Sequence, residues 1–418
     1  MLNKLSGKRE LCYFVHIDSI EPIEGRDRVE CANVGGWTVM VQKSQFYAGD
    51  IGIYFEVDSK VPETEPFLFL AKNHFKIKTQ KFKTPSGHFY SQGLLMHPSD
   101  FGWKIEENVA IDDKGVSRLV DGDGKFLTDV LGVTYADPMD NKRKGKQNSP
   151  DKYQKMAKRM GKMFNLQPFR YLIKKEWGKK LLYLIYGRDH LDNSKSRDWP
   201  VGKFPGVTKT DQERIENEVW VLQNKIPFIV TEKCDGSSGT YILEKKRKNK
   251  FEFYVCSRNV RMLSEEQERY YGQRNYYWEV ANKYNIEDKM KKWLNNHPDT
   301  TWVCWQGEIC AQGIQGNPHG LEETHLFCFS WTDSVRGRLD IREAEDEWRK
   351  LGMEVVPIVQ EQYVLPDDIQ ELKEQADGFY DPSVCENKTS QRREGLVYYS
   401  TEDPLFSFKN VSREYLAR

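Results

Sequence analysis

The sequence predicts an α+β fold in three parts: a small β-barrel over residues 1–136, a basic and partly helical connector over 137–203, and a domain of antiparallel sheets and helices over 204–418. Three observations lead there. Short apolar runs punctuated by glycine fill the first third, the pattern of a small barrel. Lysine and arginine outweigh acids between residues 137 and 180. From Phe204 onward, strand-like and helix-like periods alternate. A chain of 418 residues has room for two or three domains with sizeable cores.

In the first part the strand-like runs fall at residues 11–20, 29–34, 37–41, 51–57, 77–82 and 90–95. Gly35-Gly36, Gly49-Asp50 and Pro85-Ser86-Gly87 divide them. Lys72, Lys76, Lys78, Lys81 and Lys83 crowd one segment, interleaved with Phe75, Phe82, Phe89 and Tyr90. That mixture suits a nucleic-acid groove, and equally an edge strand guarded by lysines. In the connector, Ser149-Pro150 opens a helix carrying Tyr153, Met156, Ala157, Met160, Met163 and Phe164 at helical spacing. A second apolar and basic stretch runs over 172–186.

In the third part, Thr210 to Glu213 has the form of a capping box, and Ile215, Val219 and Leu222 continue it as an amphipathic helix. Phe228, Ile229 and Val230 read as a buried strand leading into Lys233, followed by the turn Cys234-Asp235-Gly236-Ser237. Further strands are expected at 251–256, 302–309, 326–331, 355–359 and 395–399. A helix starting at Ser264 carries Tyr277, Val280, Ala281 and Tyr284 on one face. Another carries Ile341, Ala344, Trp348 and Leu351 and stops at Gly352.

Composition removes several functions. The 63 Lys and Arg balance the 63 Asp and Glu, so no global charge marks a polyanion binder. Eight cysteines with no Cys-x-x-Cys pair give neither the usual zinc spacing nor a disulfide framework, and reduced core thiols are expected. The start lacks the apolar core of a secretory signal, and nothing approaches 18 consecutive apolar residues. A soluble cytoplasmic chain without membrane contact, and a monomer, are expected.

Lys233, at a strand end and held by a turn, is fixed in space. It is either the exposed bend of a β-hairpin or an amine placed to attack. An attacking lysine must be neutral, and at pH 7 only about one free lysine in two thousand is. Nearby cations or burial must lower its pKa. An electrophile suited to it is the α-phosphate of a nucleotide, which brings Mg²⁺ and calls for carboxylates. Four downstream clusters supply such groups: Ser257-Arg258-Asn259, Trp305-Gln306-Gly307-Glu308, Arg393-Glu394-Gly395-Leu396-Val397 and Ser407-Phe408-Lys409. Each alone is ordinary, because a Glu-Gly at a strand edge is commonly a turn.

In this order the clusters resemble the covalent nucleotidyltransferase superfamily of ATP-dependent ligases and mRNA capping enzymes. Lys233-Cys-Asp-Gly236 resembles its motif I, Ser257-Arg258-Asn259 motif Ia, Gly307-Glu308 motif III, the stretch from Leu326 to Trp331 motif IIIa, Glu394-Gly-Leu-Val397 motif IV, and Phe408-Lys409 motif V. The resemblance implies that Lys233 takes AMP as a phosphoramide, with Asp235 ordering the turn and Lys409 contacting the α-phosphate. It implies nucleotide binding by Glu232, Gly236, Arg258, Glu308, Lys409, Phe329 and Val397, the last two gripping the base. Glu308 and Glu394 would organise Mg²⁺ or Mn²⁺, in part through water. The family's motif V usually reads Lys-x-Lys, whereas this chain has Lys409-Asn410-Val411, so either Lys409 works alone or a cation such as Arg413 assists.

The barrel-like unit precedes the nucleotidyltransferase motifs, and nine residues follow Lys409. That order resembles the ATP-dependent RNA ligases with an amino-terminal OB domain, the fifth RNA ligase type. The stretches ending at Glu56 and Leu95, and Lys209 to Asn217, also resemble them. The resemblance implies an OB-like barrel, ATP and a divalent metal as cofactors, and sealing of 5′-phosphate to 3′-OH ends in nicked RNA or RNA-containing duplexes. Three rivals stand beside it: a DNA ligase or guanylyltransferase, a non-catalytic nucleic-acid binder, and an enzyme transferring AMP to protein.

Overall fold

The computed structural model describes residues 9–104, 109–111, 117–119, 126–135, 199–209, 212–262, 269–270, 273–385 and 391–418. The helix expected from Ser149, the rest of the connector up to residue 198, and Ser264 itself lie outside the described residues. The long helix expected from Ser264 does not form: Arg269–Tyr270 and Gln273–Arg274 pair as antiparallel strands, and the helix begins only at Tyr276.

The amino-terminal part is built from short antiparallel strands. Strand β1 (Cys12–His16) pairs with β5 (Ile51–Phe55), which pairs with β8 (Leu94–Met96). Strands β2 (Ser19–Ile23), β3 (Arg26–Val34) and β4 (Trp37–Gln42) form a second sheet. A hairpin, β6 (Gln80–Thr84) and β7 (Gly87–Ser91), completes the unit. Every residue of β5 is buried, because its two faces feed different cores. Ile51, Ile53 and Phe55 pack with Phe14, Phe67 and Met96. Tyr54 packs with Trp37, Val39 and Leu95. A strand covered on both sides reads as a continuous apolar run, as Ile-Gly-Ile-Tyr-Phe does. These strands make up the small barrel-like unit that the sequence predicts.

The carboxy-terminal part stacks two mixed-length sheets. One has the order β9 (Glu213–Arg214), β19 (Ser407–Val411), β18 (Gly395–Ser400), β10 (Pro227–Lys233), β17 (Ile358–Val364). The other has the order β13 (Arg261–Met262), β12 (Phe251–Ser257), β11 (Ser237–Lys245), β14 (Trp302–Cys310), β15 (His325–Asp333), β16 (Gly337–Arg338). Side chains alternate along β10 and β18. Ile229, Val397 and Tyr399 join Tyr241, Trp305 and Trp331 in a core between the sheets. Phe228, Val230, Leu396, Tyr398 and Phe408 form a second core on the outer face with Ile215 and Leu372.

Helices α1 (Tyr276–Lys283) and α2 (Ile286–Asn296) bury Val280, Ala281, Met290 and Leu294 in the core between the sheets. Asn275 caps α1 through a bond accepted from Trp278 N. Helix α3 (Ile341–Lys350) forms where the periodicity predicts, with Asp340 as its cap and Gly352 in the left-handed region after it. Helix α4 (Ile369–Ala376) covers the outer core, and α5 (Arg413–Leu416) follows β19.

The amphipathic helix expected from the Thr210–Glu213 capping box through Ile215, Val219 and Leu222 does not form over the described residues. Glu213 and Arg214 instead pair in parallel with Phe408 and Lys409, and 3₁₀ turns follow at Ile215–Asn217 and Val219–Gln223. Bonds to the barrel override the helical pattern. Asn217 Nδ2 donates to Glu56 Oε1 (2.9 Å), its Oδ1 accepts from Tyr13 and Trp37, and Arg214 pairs with Asp58 (2.9 Å). The two parts also meet at a buried lysine, Lys373, which donates to Gly36 O (3.0 Å) and Gln92 Oε1 (2.5 Å) and lies 3.8 Å from Glu216. All eight cysteines are free thiols. Among the described residues, no helix is long and apolar enough to cross a membrane.

Candidate active site

Lys233 is the last residue of β10, paired with Gly395 on β18. Two residues back, Thr231 pairs with Val397, which pairs with Lys409 on β19. Directly opposed residues of antiparallel strands point to the same face. Lys233, Val397 and Lys409 therefore share the face turned toward the second sheet. Gly395 carries the close approach of β19, since a Cβ there would sit 2.2 Å from Asn410 O. The residue before it, Glu394, reaches Lys233: its Oε1 accepts from Nζ at 2.6 Å.

Across the cleft, the turn after Lys233 leads into β11. Ser238 pairs with Glu308 on β14. Gly236 has no room for a side chain, because a Cβ would meet Ile309 O at 2.3 Å. Its backbone amide, close to Glu308, favours the ionised form of that carboxyl. On the next strand Gln306 pairs with Ser330 but Gly307 pairs with Cys328, so Phe329 is the extra residue of a β-bulge. A bulge re-aims a side chain, which leaves Phe329 half-buried beside the small core of Cys234, Cys310 and Tyr380. Arg258 is exposed just beyond Ser257, which pairs with Gly239 near the same end of the sheet.

Three acids crowd one amine. Burial alone would pull the Lys233 ammonium down, but Glu394, Glu308 and Asp235 outweigh it and hold its pKa above the ordinary 10.5. Burial, helped by Glu394 and Asp235, pushes Glu308 up to about 8 against the pull of Lys233. Burial and Glu394 push Asp235 up to about 6, opposed by a hydrogen bond from Tyr415 and by Lys233. Carboxylates this mutually repelled would be relieved by added positive charge. Among the described residues, no three His, Cys, Asp or Glu side chains converge as a ready cage. That donor set fits a Mg²⁺-like ion, which keeps several waters and is shared with phosphates, better than a closed protein site.

The turn is clamped from far along the chain. Asp235 N donates to His319 Nε2 (3.1 Å), and Tyr415 Oη donates to Asp235 Oδ2 (2.8 Å). His319 is buried against Tyr380, their ring centroids 4.2 Å apart, and burial pushes it down to about 4, so it is neutral and can accept.

Lys233, Asp235, Gly236, Glu308, Glu394, Val397, Phe329 and Lys409 thus gather at the cleft between the sheets. Glu232 does not join them. Its carboxylate lies on the outer face of β10 with Arg393 (3.1 Å), and burial pushes it up to about 7 against that pull. Arg413 forks onto Asp377 at 2.9 and 2.8 Å, so it is committed elsewhere than to a phosphate. Of the five barrel lysines, Lys76 is buried and Lys81 pairs with Glu414 (2.5 Å); Lys72, Lys78 and Lys83 are exposed. Sequence reasoning missed His319, Tyr380 and Tyr415, for which spacing offers no signal.

Comparison with known proteins agrees with this layout. The RNA ligase family model matches residues 226–411, and an OB-fold domain model matches residues 11–97. No curated protein matches the sequence. Among solved structures, a Naegleria gruberi RNA ligase with pyrophosphate is 23% identical, covers 98% of this chain and 98% of its own, and superposes with a TM-score of 0.67. A variant of that enzyme with ATP and manganese is 23% identical over 98% of each chain at a TM-score of 0.66. A variant with AMP and manganese is 23% identical, covering 98% of this chain and 100% of its own at 0.67. At that identity the likeness shows a shared fold.

Proposed function

We propose, from the match of the RNA ligase family model to residues 226–411, that the chain is an ATP-dependent ligase joining a 5′-phosphate to a 3′-hydroxyl in nicked duplexes whose 3′-OH strand is RNA. The observation that carries this reading is the meeting of Lys233 with Glu394 and Glu308. The Naegleria enzyme was captured with ATP and manganese, and the same ligands suit this cleft.

In the first step the Lys233 amine, having given up a proton, forms a bond to the α-phosphorus of ATP. The α–β phosphoanhydride bond breaks and pyrophosphate departs with the electron pair. In the second step the lysyl-AMP is attacked by the 5′-phosphate, and the freed amine recovers a proton. In the third step the 3′-hydroxyl attacks that phosphate, AMP departs, and the phosphodiester is closed. A divalent ion held by Glu308 and Glu394, in part through water, would supply positive charge to the phosphates and offset the acids that keep Lys233 protonated. Lys409 faces the same phosphate. Gly236 allows the close approach of backbone, and Phe329 and Val397 grip the base from the two sheets. Arg258 reaches the ribose and phosphate from the mouth of the cleft. Asp235 orders the turn, and Glu232 contributes through the strand it belongs to. Residues 1–136, 137–203 and 204–418 would act as barrel clamp, connector and catalytic domain.

Protein incubated with Mg²⁺ and ATP labelled on its α-phosphate should become labelled, and Lys233→Ala should not. An unlabelled wild type would refute the reading. Nicked duplexes with RNA or DNA at the 3′ end then decide the substrate, with faster sealing expected for RNA.

A further inference from the structure

Helix α5 touches both halves of the molecule. On one side Tyr415 donates to Asp235, two residues from Lys233 (2.8 Å). On the other, Glu414 accepts from Lys81 Nζ (2.5 Å) and from Tyr90 Oη, both on the barrel hairpin β6–β7. The start of the helix is pinned independently. Ser412 Oγ accepts from Tyr415 N and donates to Asp377, the same acid that holds the Arg413 fork. The guanidinium of Arg413 also lies over the Tyr90 ring, 5.1 Å from its centroid.

Consecutive residues of one short helix therefore grip the hairpin and the turn of the candidate nucleophile. Tyr415 is a donor at Asp235: burial, with Glu394 and Asp235 nearby, raises its pKa and keeps the phenol protonated. Asp235 N is already fixed by His319, so the Tyr415 bond fixes the remaining freedom of that residue, its carboxylate.

We propose that Tyr415 is a positioning residue for the transfer of AMP to Lys233, acting through Asp235, and that the barrel hairpin sets its position through Glu414. This rests on the ligase reading above. The consequence is that the barrel contributes to the chemistry at Lys233 before any nucleic acid is bound.

The test is single-turnover labelling of the full chain with α-phosphate-labelled ATP, alongside thermal melting. Tyr415→Phe should slow labelling at saturating ATP by about tenfold or more, the loss expected for a hydrogen bond to a charged group, with the apparent KM for ATP and the melting midpoint nearly unchanged. Glu414→Gln and Lys81→Met should slow it less, in the same direction. Either one combined with Tyr415→Phe should be no slower than Tyr415→Phe alone, because they act along one path. Labelling of Tyr415→Phe at the wild-type rate overturns the positioning role. If Tyr415→Phe melts early, Lys81→Met at the barrel surface decides, and full-rate labelling by it overturns the proposal. Multiplicative losses in the double variants overturn the link to the barrel. A wild type that never labels refutes the ligase reading itself, a separate outcome.

Discussion

Lys233 Nζ lies 2.6 Å from Glu394 Oε1, so the candidate nucleophile is an ion-paired ammonium. Glu394, Glu308 and Asp235 keep this amine protonated, and on the proposed reading added positive charge would release it.

Glu394→Gln keeps the shape of that contact and removes its charge. With one fewer acid opposing burial, the Lys233 pKa should fall. The readout is the pH at which Lys233 is half-maximally modified by an amine-directed reagent in protein free of nucleotide. It should move to lower pH, and an unmoved profile would remove Glu394 as a main restraint on the amine.

Phe329→Ala should weaken ATP binding while leaving the fold intact. Stacking of a base on an aromatic ring contributes about 1–3 kcal/mol, which is roughly a 5- to 150-fold rise in the KM for ATP. Steady-state adenylylation against ATP concentration checks it. A loss confined to the maximal rate would mean that the ring does not carry the base.

The exposed barrel lysines separate from the committed ones. Replacing Lys72, Lys78 and Lys83 together by alanine should weaken nick binding and flatten its salt dependence, the slope changing by about 0.9 for each phosphate no longer neutralised. Lys233 adenylylation should be unaffected. Lys76→Ala, at a buried site, should instead lower the melting temperature.

Lys373 makes stability depend on pH in a definite direction. Burial lowers its pKa to about 8 in the folded chain, from an ordinary 10.5, with Glu216 pulling the other way. Below pH 8 the amine is protonated folded and unfolded, and the cost of burying the charge is fully present. Between about 8 and 10.5 the folded form loses its proton first, so the cost fades as pH rises. Denaturant midpoints of wild type and Lys373→Met, measured at about pH 8 and 10, should differ by an amount that moves in favour of wild type at the higher pH. A constant difference would show that Lys373 does not titrate with folding.

Much of the cleft could be read along the chain because its signals are local. A strand running into Lys233 and a tight turn, and the Glu394-Gly395 pair where β18 begins, mark strand ends by composition alone, whereas Gly307-Glu308, expected at a strand end, lies inside β14. The barrel strands announced themselves in the same way. What could not be read depends on distant partners. Glu213 to Gln223 has helical spacing, yet Arg214 and Asn217 are drawn to Asp58, Glu56, Tyr13 and Trp37 more than 150 positions earlier. Tyr415 and His319 hold Asp235 from 180 and 84 residues away, and a lone tyrosine or histidine carries no mark of such a duty. Glu232 sits next to Lys233 in sequence but, by the two-residue period of a strand, faces the other way.

The bulge at Phe329 sets regularity against use. Its neighbours are already in step, Gln306 with Ser330 and Gly307 with Cys328, so deleting this one residue would heal the ladder without shifting either end of the strand. Such a shortened chain should have a better-formed sheet and a poorer grip on nucleotide. Tolerance of the deletion by the fold, with its rejection by the reaction, is the signature of a residue kept for what it touches.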